Sequence, residues 1–281
     1  MQNRLISLII CVATLISLQV SAETICSDDN FKSSLQVNAL NLSQLKIKSL
    51  PRARLYLIGE THFFQGYATQ QRLLEMFSKQ LGKNVCLFFE LPSSQTPQQQ
   101  VDEAKNERPL ASKDPFFQLV NEEFINHFEP LINLAKGNGV KVFSVDKASQ
   151  FKLDTMNRIN DRDEGMTKRI TELFASKSCS SGIMFVGADH IGPDSYDRRT
   201  LSSRLRETRI PLLTFNIVHE SDPGPIEMAS WNKLCDNSLV DFGNETVIFS
   251  NASIRPYTRV SPNNEYSNSL WSNFEYTILA P

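Results

Sequence analysis

Short apolar runs alternate with longer amphipathic stretches along most of this 281-residue chain. The runs have the length of β-strands, and the stretches between them carry apolar residues at helical spacing, as Leu73, Leu74 and Phe77 do. Strands that alternate with helices in this way predict an α/β fold, a mostly parallel sheet with helices on both faces. The predicted strands cover residues 54–58, 85–89, 140–145, 182–186 and 211–218.

The predicted helices differ in how regular their pattern is. They cover residues 41–48, 67–80, 116–136, 155–176 and 197–208. Pro130 lies inside one of them and predicts a kink or a break. Residues 93–115 are rich in Gln, Ser, Pro and charge, which is typical of a mobile excursion or lid. After residue 220 the alternation stops, and the runs 247–249 and 276–279 predict a C-terminal antiparallel extension of the sheet.

The first 22 residues predict a secretory signal peptide. Arg4 supplies the positive start, an apolar stretch follows from Leu5 to Leu18, and Val20-Ser21-Ala22 is a small-residue cleavage site. No other segment approaches the roughly 18 consecutive apolar residues of a membrane span. We therefore expect a secreted or periplasmic protein that is cleaved near Ala22 and has no stable membrane insertion. Residues 23–281 then form a single α/β domain with its core at about 54–220.

Charge and cysteine content narrow the picture further. The formal net charge is −2 at pH 7, and no basic patch is interleaved with aromatic residues, which argues against nucleic-acid binding. Four cysteines follow the predicted cleavage site, and an even number in an oxidising compartment predicts two disulfides. Cys86 and Cys179 each stand near the start of an apolar strand, so they would meet if those strands are parallel neighbours. We favour Cys86–Cys179, which leaves Cys26–Cys235; the alternative is four unpaired buried thiols.

The same short sequence motif follows two of the predicted strands. Gly59-Glu60-Thr61-His62 follows one strand and Gly187-Ala188-Asp189-His190 follows another, and each consists of Gly, two residues and His. A glycine at a strand end permits a sharp turn and leaves room for a ligand. Ligands of open α/β sheets bind at the carboxyl ends of the strands. We therefore expect both imidazoles to face one cleft.

Other predicted strands also end in polar side chains, namely Glu90, Asp146 and His219. Two histidines with a carboxylate are a common ligand set for a divalent transition metal such as Mn, Co, Zn or Fe. The candidate ligands are His62, His190 and Glu60. Without a metal, the same groups provide a general base and the carboxylate that orients it.

Each candidate also has a purely structural alternative. Glu60 can cap the following helix and Asp146 the following segment, while His127, on an amphipathic helix, is expected to be a surface or half-buried histidine. The acidic residues early in the helix 155–176 are ordinary helix-dipole chemistry. The functional alternative is that Arg162 orients a site carboxylate or binds an anionic group of the substrate.

Four short sequence motifs, taken in their order along the chain, resemble those of a superfamily that groups erythromycin esterases, ChaN-type haem-binding proteins, the TIKI and TraB proteins and a domain of certain bacterial toxins. The resemblance is greatest to the ChaN-like proteins and covers about residues 54–220. It implies an α/β fold with a strand-end site of Glu60, His62, Glu90 and His190, supported by Arg162 and Asp163. The four motifs are Gly59-Glu60-Thr61-His62, Phe89-Glu90, Arg162-Asp163-Glu164-Gly165-Met166 and Gly187-Ala188-Asp189-His190.

Three hypotheses follow from the candidates and the resemblance. The first is a hydrolase of ester or amide bonds in a small-molecule or peptide substrate, with catalytic Glu60, His62, Glu90 and His190 and assistance from a metal. The second is a haem- or iron-binding protein without turnover, whose cleft Phe63, Phe64 and Tyr67 would line. The third is a degenerate family member that acts as an extracellular interaction protein or effector. The sequence sets neither the substrate nor the oligomeric state.

Overall fold

The structure is a computed structural model, and it describes nine parts of the chain. The predicted signal peptide and the predicted pair Cys26–Cys235 lie outside these parts. The described residues are 33, 37–60, 67–106, 115–147, 155–192, 194, 198–219, 245–254 and 274–280.

Eight strands form one sheet within the described residues, in the order β1-β7-β8-β6-β2-β5-β3-β4. The five strands β6, β2, β5, β3 and β4 are mutually parallel, as predicted. The predicted antiparallel extension is present in β7, whereas β8 pairs with β6 in parallel fashion. The strands are β1 Leu40–Asn41, β2 Leu55–Glu60, β3 Val85–Pro92, β4 Lys141–Asp146, β5 Ser181–Gly187, β6 Leu212–His219, β7 Val247–Ser250 and β8 Tyr276–Ala280.

Helices cover both faces of this sheet. Successive strand residues point to opposite faces, so Ile58 and Phe89 share one buried cluster with α1, α2 and α3, while Leu57 and Phe88 share another with α4 and α5. None of the described helices combines the length and apolar character that a membrane span requires. The helices are α1 Tyr67–Leu81, α2 Pro97–Asn106, α3 Pro115–Gly137, α4 Thr155–Ala175, α5 Leu201–Arg206 and α6 Asn251–Ile254.

Three predictions about the helical segments are wrong in part. The supposed lid contains α2, which Thr96 and Gln99 cap and which buries Val101 in the core. The helix around Pro130 is continuous rather than broken in two. The weak helix predicted over residues 41–48 is replaced by two 3₁₀ turns, Leu42–Gln44 and Ile47–Ser49.

A disulfide joins Cys86 and Cys179 at the amino edge of the sheet, with 5.7 Å between the two Cα atoms. β3 and β5 are parallel neighbours, and Cys86 pairs with Gly182 in their ladder, so Cys179 stands just outside the adjacent strand. This is the pairing, and the reason for it, that the sequence favours. Both sulfurs are buried, at the edge opposite the strand ends that carry the candidate chemistry.

Candidate active site

Three of the predicted strand-end residues meet at the carboxyl edge of the parallel sheet. Glu90 lies near the end of β3 and Asp146 ends β4, while His190 ends a 3₁₀ turn, Ala188–His190, that directly follows β5. Because β5 lies beside β3 and β3 beside β4, the three side chains converge. The His190 Nε2 atom lies 3.2 Å from Glu90 Oε1.

The other ring nitrogen of His190 faces a second carboxylate. Its Nδ1 atom makes a short hydrogen bond to Oδ1 of Asp163, which projects from α4 and is fully buried. The side chains of His190 and Glu90 are only 6% and 8% exposed. The imidazole is therefore held between two buried carboxylates, an arrangement that fixes its orientation on both sides.

Arg162 ties together the carboxylates of two strand ends. Its Nη2 atom contacts Glu90 Oε1 and lies 2.7 Å from Asp146 Oδ2, and its Nε donates to the same Asp146 oxygen at 2.8 Å. The backbone N–H of Gly187 donates to the other oxygen of Glu90 at 3.0 Å. This places Arg162 in the role of a residue that orients site carboxylates, which is the functional alternative for it in the sequence.

The helix α4 presents both site residues because of its amphipathic spacing. Met166 lies four residues after Arg162 and three after Asp163, and Ile170 lies eight and seven residues after them. Both Met166 and Ile170 are fully buried against the sheet. Residues at this spacing share a helix face, so Arg162 and Asp163 extend the buried face towards the strand ends.

Arg198 belongs to the same cluster and was not predicted. Its Nε donates to Asp163 Oδ2 at 3.1 Å, and its Nη2 donates to the carbonyl of Asp189 at 2.8 Å. In the sequence it is one cation in the basic segment 197–208, which predicts a short helix. The helix itself, α5, begins only at Leu201 after the cap residue Thr200, so Arg198 stands in the chain that leads to it.

Among the described residues, a protonated imidazole balances the charges of this cluster. Three carboxylates, those of Glu90, Asp146 and Asp163, face the guanidinium groups of Arg162 and Arg198, which leaves one negative charge for His190 to compensate. Burial lowers the pKa of His190, but the charge of Glu90 and the hydrogen bond that His190 donates to Asp163 outweigh it and raise that pKa to about 9. This shift favours the imidazolium form of His190.

The pKa values of two groups in the same cluster, Arg162 and Asp146, are shifted as well. Burial opposes the charged form of Arg162, yet Asp146 and Glu90 raise the pKa of its guanidinium above the ordinary value. Burial also raises the pKa of Asp146, against the opposing effect of Arg162. The Oδ1 atom of Asp146 is buried and has no hydrogen-bond partner among the described residues.

The remaining candidates are described only in part. Glu60 ends β2, is half-buried, and pairs with Gly187 in the sheet, so the last residues of β2 and β5 lie side by side. His62 lies outside the described residues. His219 ends β6 opposite Ala280, and its side chain is outside the described part of the chain. Gly59 packs closely, because a Cβ there would lie 2.9 Å from the ring of Phe274.

A metal site does not form from the candidate ligands that the structure describes. Within the described ranges, no group of three or more His, Cys, Asp or Glu side chains has the arrangement of a metal site. Both ring nitrogens of His190 face carboxylates of the described residues. His62, the other predicted imidazole ligand, lies outside the described residues, so the ligand set of His62, His190 and Glu60 stays a prediction.

The predicted haem-lining residues are only partly described. Phe63 and Phe64 lie outside the described residues, while Tyr67 stacks on His127 with 3.7 Å between ring centroids. His127 is therefore more buried than its expected surface or half-buried position, at 6% exposure. This pair packs α1 against α3.

Comparisons with known proteins give a weak likeness. No protein-family model and no curated protein matches the chain. Among solved structures, ChaN of Campylobacter jejuni with cofacially bound haem shares 13% identity at a TM-score of 0.39, and covers 67% of this chain and 89% of its own. The effector domain RRSP of a MARTX toxin from Vibrio vulnificus shares 18% identity at a TM-score of 0.42. The match covers 67% of this chain and 38% of the RRSP chain.

A structure of bacterial protein toxins shares 15% identity at a TM-score of 0.44, and covers 66% of this chain. The match spans only 39% of the length of that toxin structure. ChaN and toxin domains belong to two of the groups that the four short sequence motifs resemble. Because the identities and TM-scores are low, this likeness establishes neither a family nor an activity for the chain.

Proposed function

We propose that this protein hydrolyses ester or amide bonds without a metal, and that His190 is its proton donor. The observation that carries the proposal is the chain of groups Glu90–His190–Asp163 at the carboxyl edge of the sheet. A histidine held between carboxylates at the carboxyl edge of a parallel sheet is a typical general acid or base, because its orientation is set before substrate binds.

The reaction follows from the protonation state of His190. A base removes one proton from water, and the resulting hydroxide attacks the carbonyl carbon of the substrate. When substrate binds, the Nε2–H of His190 exchanges its bond to Glu90 for one to the carbonyl oxygen, stabilises the negative charge there, and then gives its proton to the departing alcohol oxygen or amine nitrogen. The products are a carboxylic acid and an alcohol or amine, and the proton taken by the base returns to His190.

The remaining predicted residues take complementary roles. Glu90 accepts from Arg162, His190 and the Gly187 N–H, which suits a carboxylate that holds the imidazole in place. Glu60 ends the neighbouring strand and, with His62, is the proposed base. Arg162, Asp163 and Asp146 are supporting residues that keep this edge charge-balanced.

This proposal replaces the metal-assisted form of the hypothesis. A metal bound at His190 would have to displace Glu90 or Asp163 from a ring nitrogen. Haem binding remains the alternative from the sequence, and no contact among the described residues favours it. We further propose that the mature protein is a single secreted or periplasmic domain that acts on a small molecule or peptide.

The test is a hydrolysis screen of the mature protein on ester, amide and peptide substrates, with and without a chelator. We expect activity that survives the chelator and falls by about 10²- to 10⁴-fold in His190→Gln. Arg199→Met is the matched control, because Arg199 is an exposed neighbour of the site that pairs with Glu207. Activity that needs an added divalent ion, or a Soret band on titration with haemin, would count against the proposal.

A further inference from the structure

Arg198 contacts both sides of the hydrogen bond that orients His190. Its Nε donates to the Asp163 oxygen that does not face the imidazole, at 3.1 Å. Its Nη2 donates at 2.8 Å to the carbonyl of Asp189, the residue directly before His190. One guanidinium therefore holds the acceptor carboxylate and the backbone that carries the imidazole.

We propose that Arg198 is the positioning residue of His190, acting through the Asp163 carboxylate and the Asp189 carbonyl. This inference rests on the proposed function, since it concerns the same imidazole. The inference adds a residue that belongs neither to the repeated Gly-x-x-His motif nor to the other short sequence motifs.

The Asp163 carboxylate needs this partner because it is fully buried. One of its oxygens is bound to His190, and Arg198 is the charged donor to the other. A buried carboxylate that loses its cation is left with an uncompensated charge and one unsatisfied oxygen. Asp163 would then rotate or draw in water, and the Nδ1–H of His190 would lose its fixed acceptor.

The Asp189 carbonyl gives the second half of the argument. It lies in the short 3₁₀ turn that presents His190, and the bond from Arg198 fixes this turn against the chain nine residues later. The planar guanidinium reaches both acceptors with two different nitrogens, whereas a lysine ammonium is a single point charge. Lysine at position 198 should thus replace one of the two contacts and not both.

The neighbouring Arg199 provides a matched control. Its side chain is 45% exposed and pairs with Glu207 at the surface, whereas the Arg198 side chain is 10% exposed. Loss of an exposed pair has little effect on a folded protein. Arg198→Met and Arg199→Met thus remove the same charge from adjacent positions, and only the first touches the His190 cluster.

The experiment is proton NMR of the full mature protein, in which the Nδ1–H of His190 gives a low-field resonance that His190→Gln removes. We expect Arg199→Met to keep this resonance. Arg198→Met should accelerate its exchange with water at least tenfold, and Arg198→Lys should have an intermediate effect. Guanidinium ions added to Arg198→Ala should restore slow exchange. Circular dichroism checks that each variant is folded.

A folded Arg198→Met protein with the wild-type exchange rate would overturn the inference. If Arg198→Met does not fold, Arg198→Lys decides in the same way. Where hydrolysis is found, kcat should fall about tenfold to a hundredfold in Arg198→Met with KM little changed. If no hydrolysis is found but the resonance depends on Arg198, the proposed function fails and the positioning role stands.

Discussion

At the scale of single residues, protonated His190 completes the charge balance of the site. Its pKa is raised to about 9, against 6.5 for the ordinary group, because Glu90 and Asp163 outweigh the effect of burial. A histidine whose pKa is raised by folding stabilises the folded state fully below the ordinary pKa. That contribution is lost as the pH rises through the folded pKa.

The first prediction therefore concerns stability between pH 6.5 and pH 9. We expect His190 to contribute on the order of 3 kcal/mol below this window, and this contribution to decline across it. The measurement is urea unfolding of the wild type and His190→Gln at several pH values. The difference between the two free energies of unfolding should shrink as the pH rises. A difference that stays constant from pH 6 to pH 10 would contradict the assignment.

The second prediction concerns the carboxylate beside the imidazole. Glu90→Gln removes a charge on which Arg162 and His190 depend, so we expect a loss of about 3–5 kcal/mol in the free energy of unfolding at pH 7. Glu75→Gln is the control, since that residue forms an exposed pair with Lys79 on α1 and should change stability by less than about 1 kcal/mol. Equal effects of the two substitutions would show that Glu90 is not part of a buried charge cluster.

The sequence reveals these residues to different degrees. Glu90, Asp146 and His190 follow apolar runs, and the strand-end rule brings them together without further information. Arg162 and Asp163 are ordinary on helical grounds, and only the resemblance marks them out. Arg198 gives no signal, because an arginine in a basic segment has the same pattern whether its side chain is buried or exposed.

At the scale of elements, β2 has a glycine, Gly59, one residue before its end, and this glycine allows close packing. A Cβ on Gly59 would lie 2.9 Å from the Phe274 ring and 3.3 Å from the Ala188 Cα atom, in the turn that leads to His190. The third prediction is that Gly59→Ala lowers the free energy of unfolding by about 1–3 kcal/mol through overpacking. Gly137→Ala, at the end of α3, has open space and should be neutral or slightly stabilising. Thermal unfolding of both variants checks this, and an unchanged Gly59→Ala protein would contradict it.

Most elements follow from their apolar periodicity, and the exceptions have physical reasons. α2 is polar along most of its length and buries Val101, so its composition resembles that of a loop. The direction of β8 cannot be read from its own residues, because a parallel and an antiparallel edge strand bury the same alternate positions. Pro130 does not break α3, since packing of Leu131 and Ile132 in the core holds that helix together.

At the scale of the whole molecule, the order of strands decides where the site forms. β5 inserts between β2 and β3, which places His190 beside Glu90 and leaves Glu60 on its other side. Local patterns predict each strand, but they do not determine this crossing, which depends on how helices pack across the sheet. The site was therefore predictable as an edge, and its detailed contacts were not.

The fourth prediction concerns the disulfide that closes the opposite edge. Cys86 and Cys179 are 93 residues apart, so their bond restricts the unfolded chain considerably. Replacing both by alanine should lower the free energy of unfolding by about 2–5 kcal/mol. Peptide mapping without reduction checks the pairing, and the same experiment tests the predicted Cys26–Cys235 bond. Free thiols at both Cys86 and Cys179 in the purified protein would contradict the assignment.

The central claim is that His190 is an imidazolium held between two carboxylates rather than a metal ligand. The most direct measurement is the ¹⁵N NMR shift of both ring nitrogens of His190 as a function of pH, with and without Mn, Co, Zn or Fe ions. We expect both nitrogens to be protonated at pH 7, to titrate together near pH 9, and to be indifferent to the added ions. A neutral ring at pH 7, or a nitrogen that loses its proton when a metal is added, would contradict the claim.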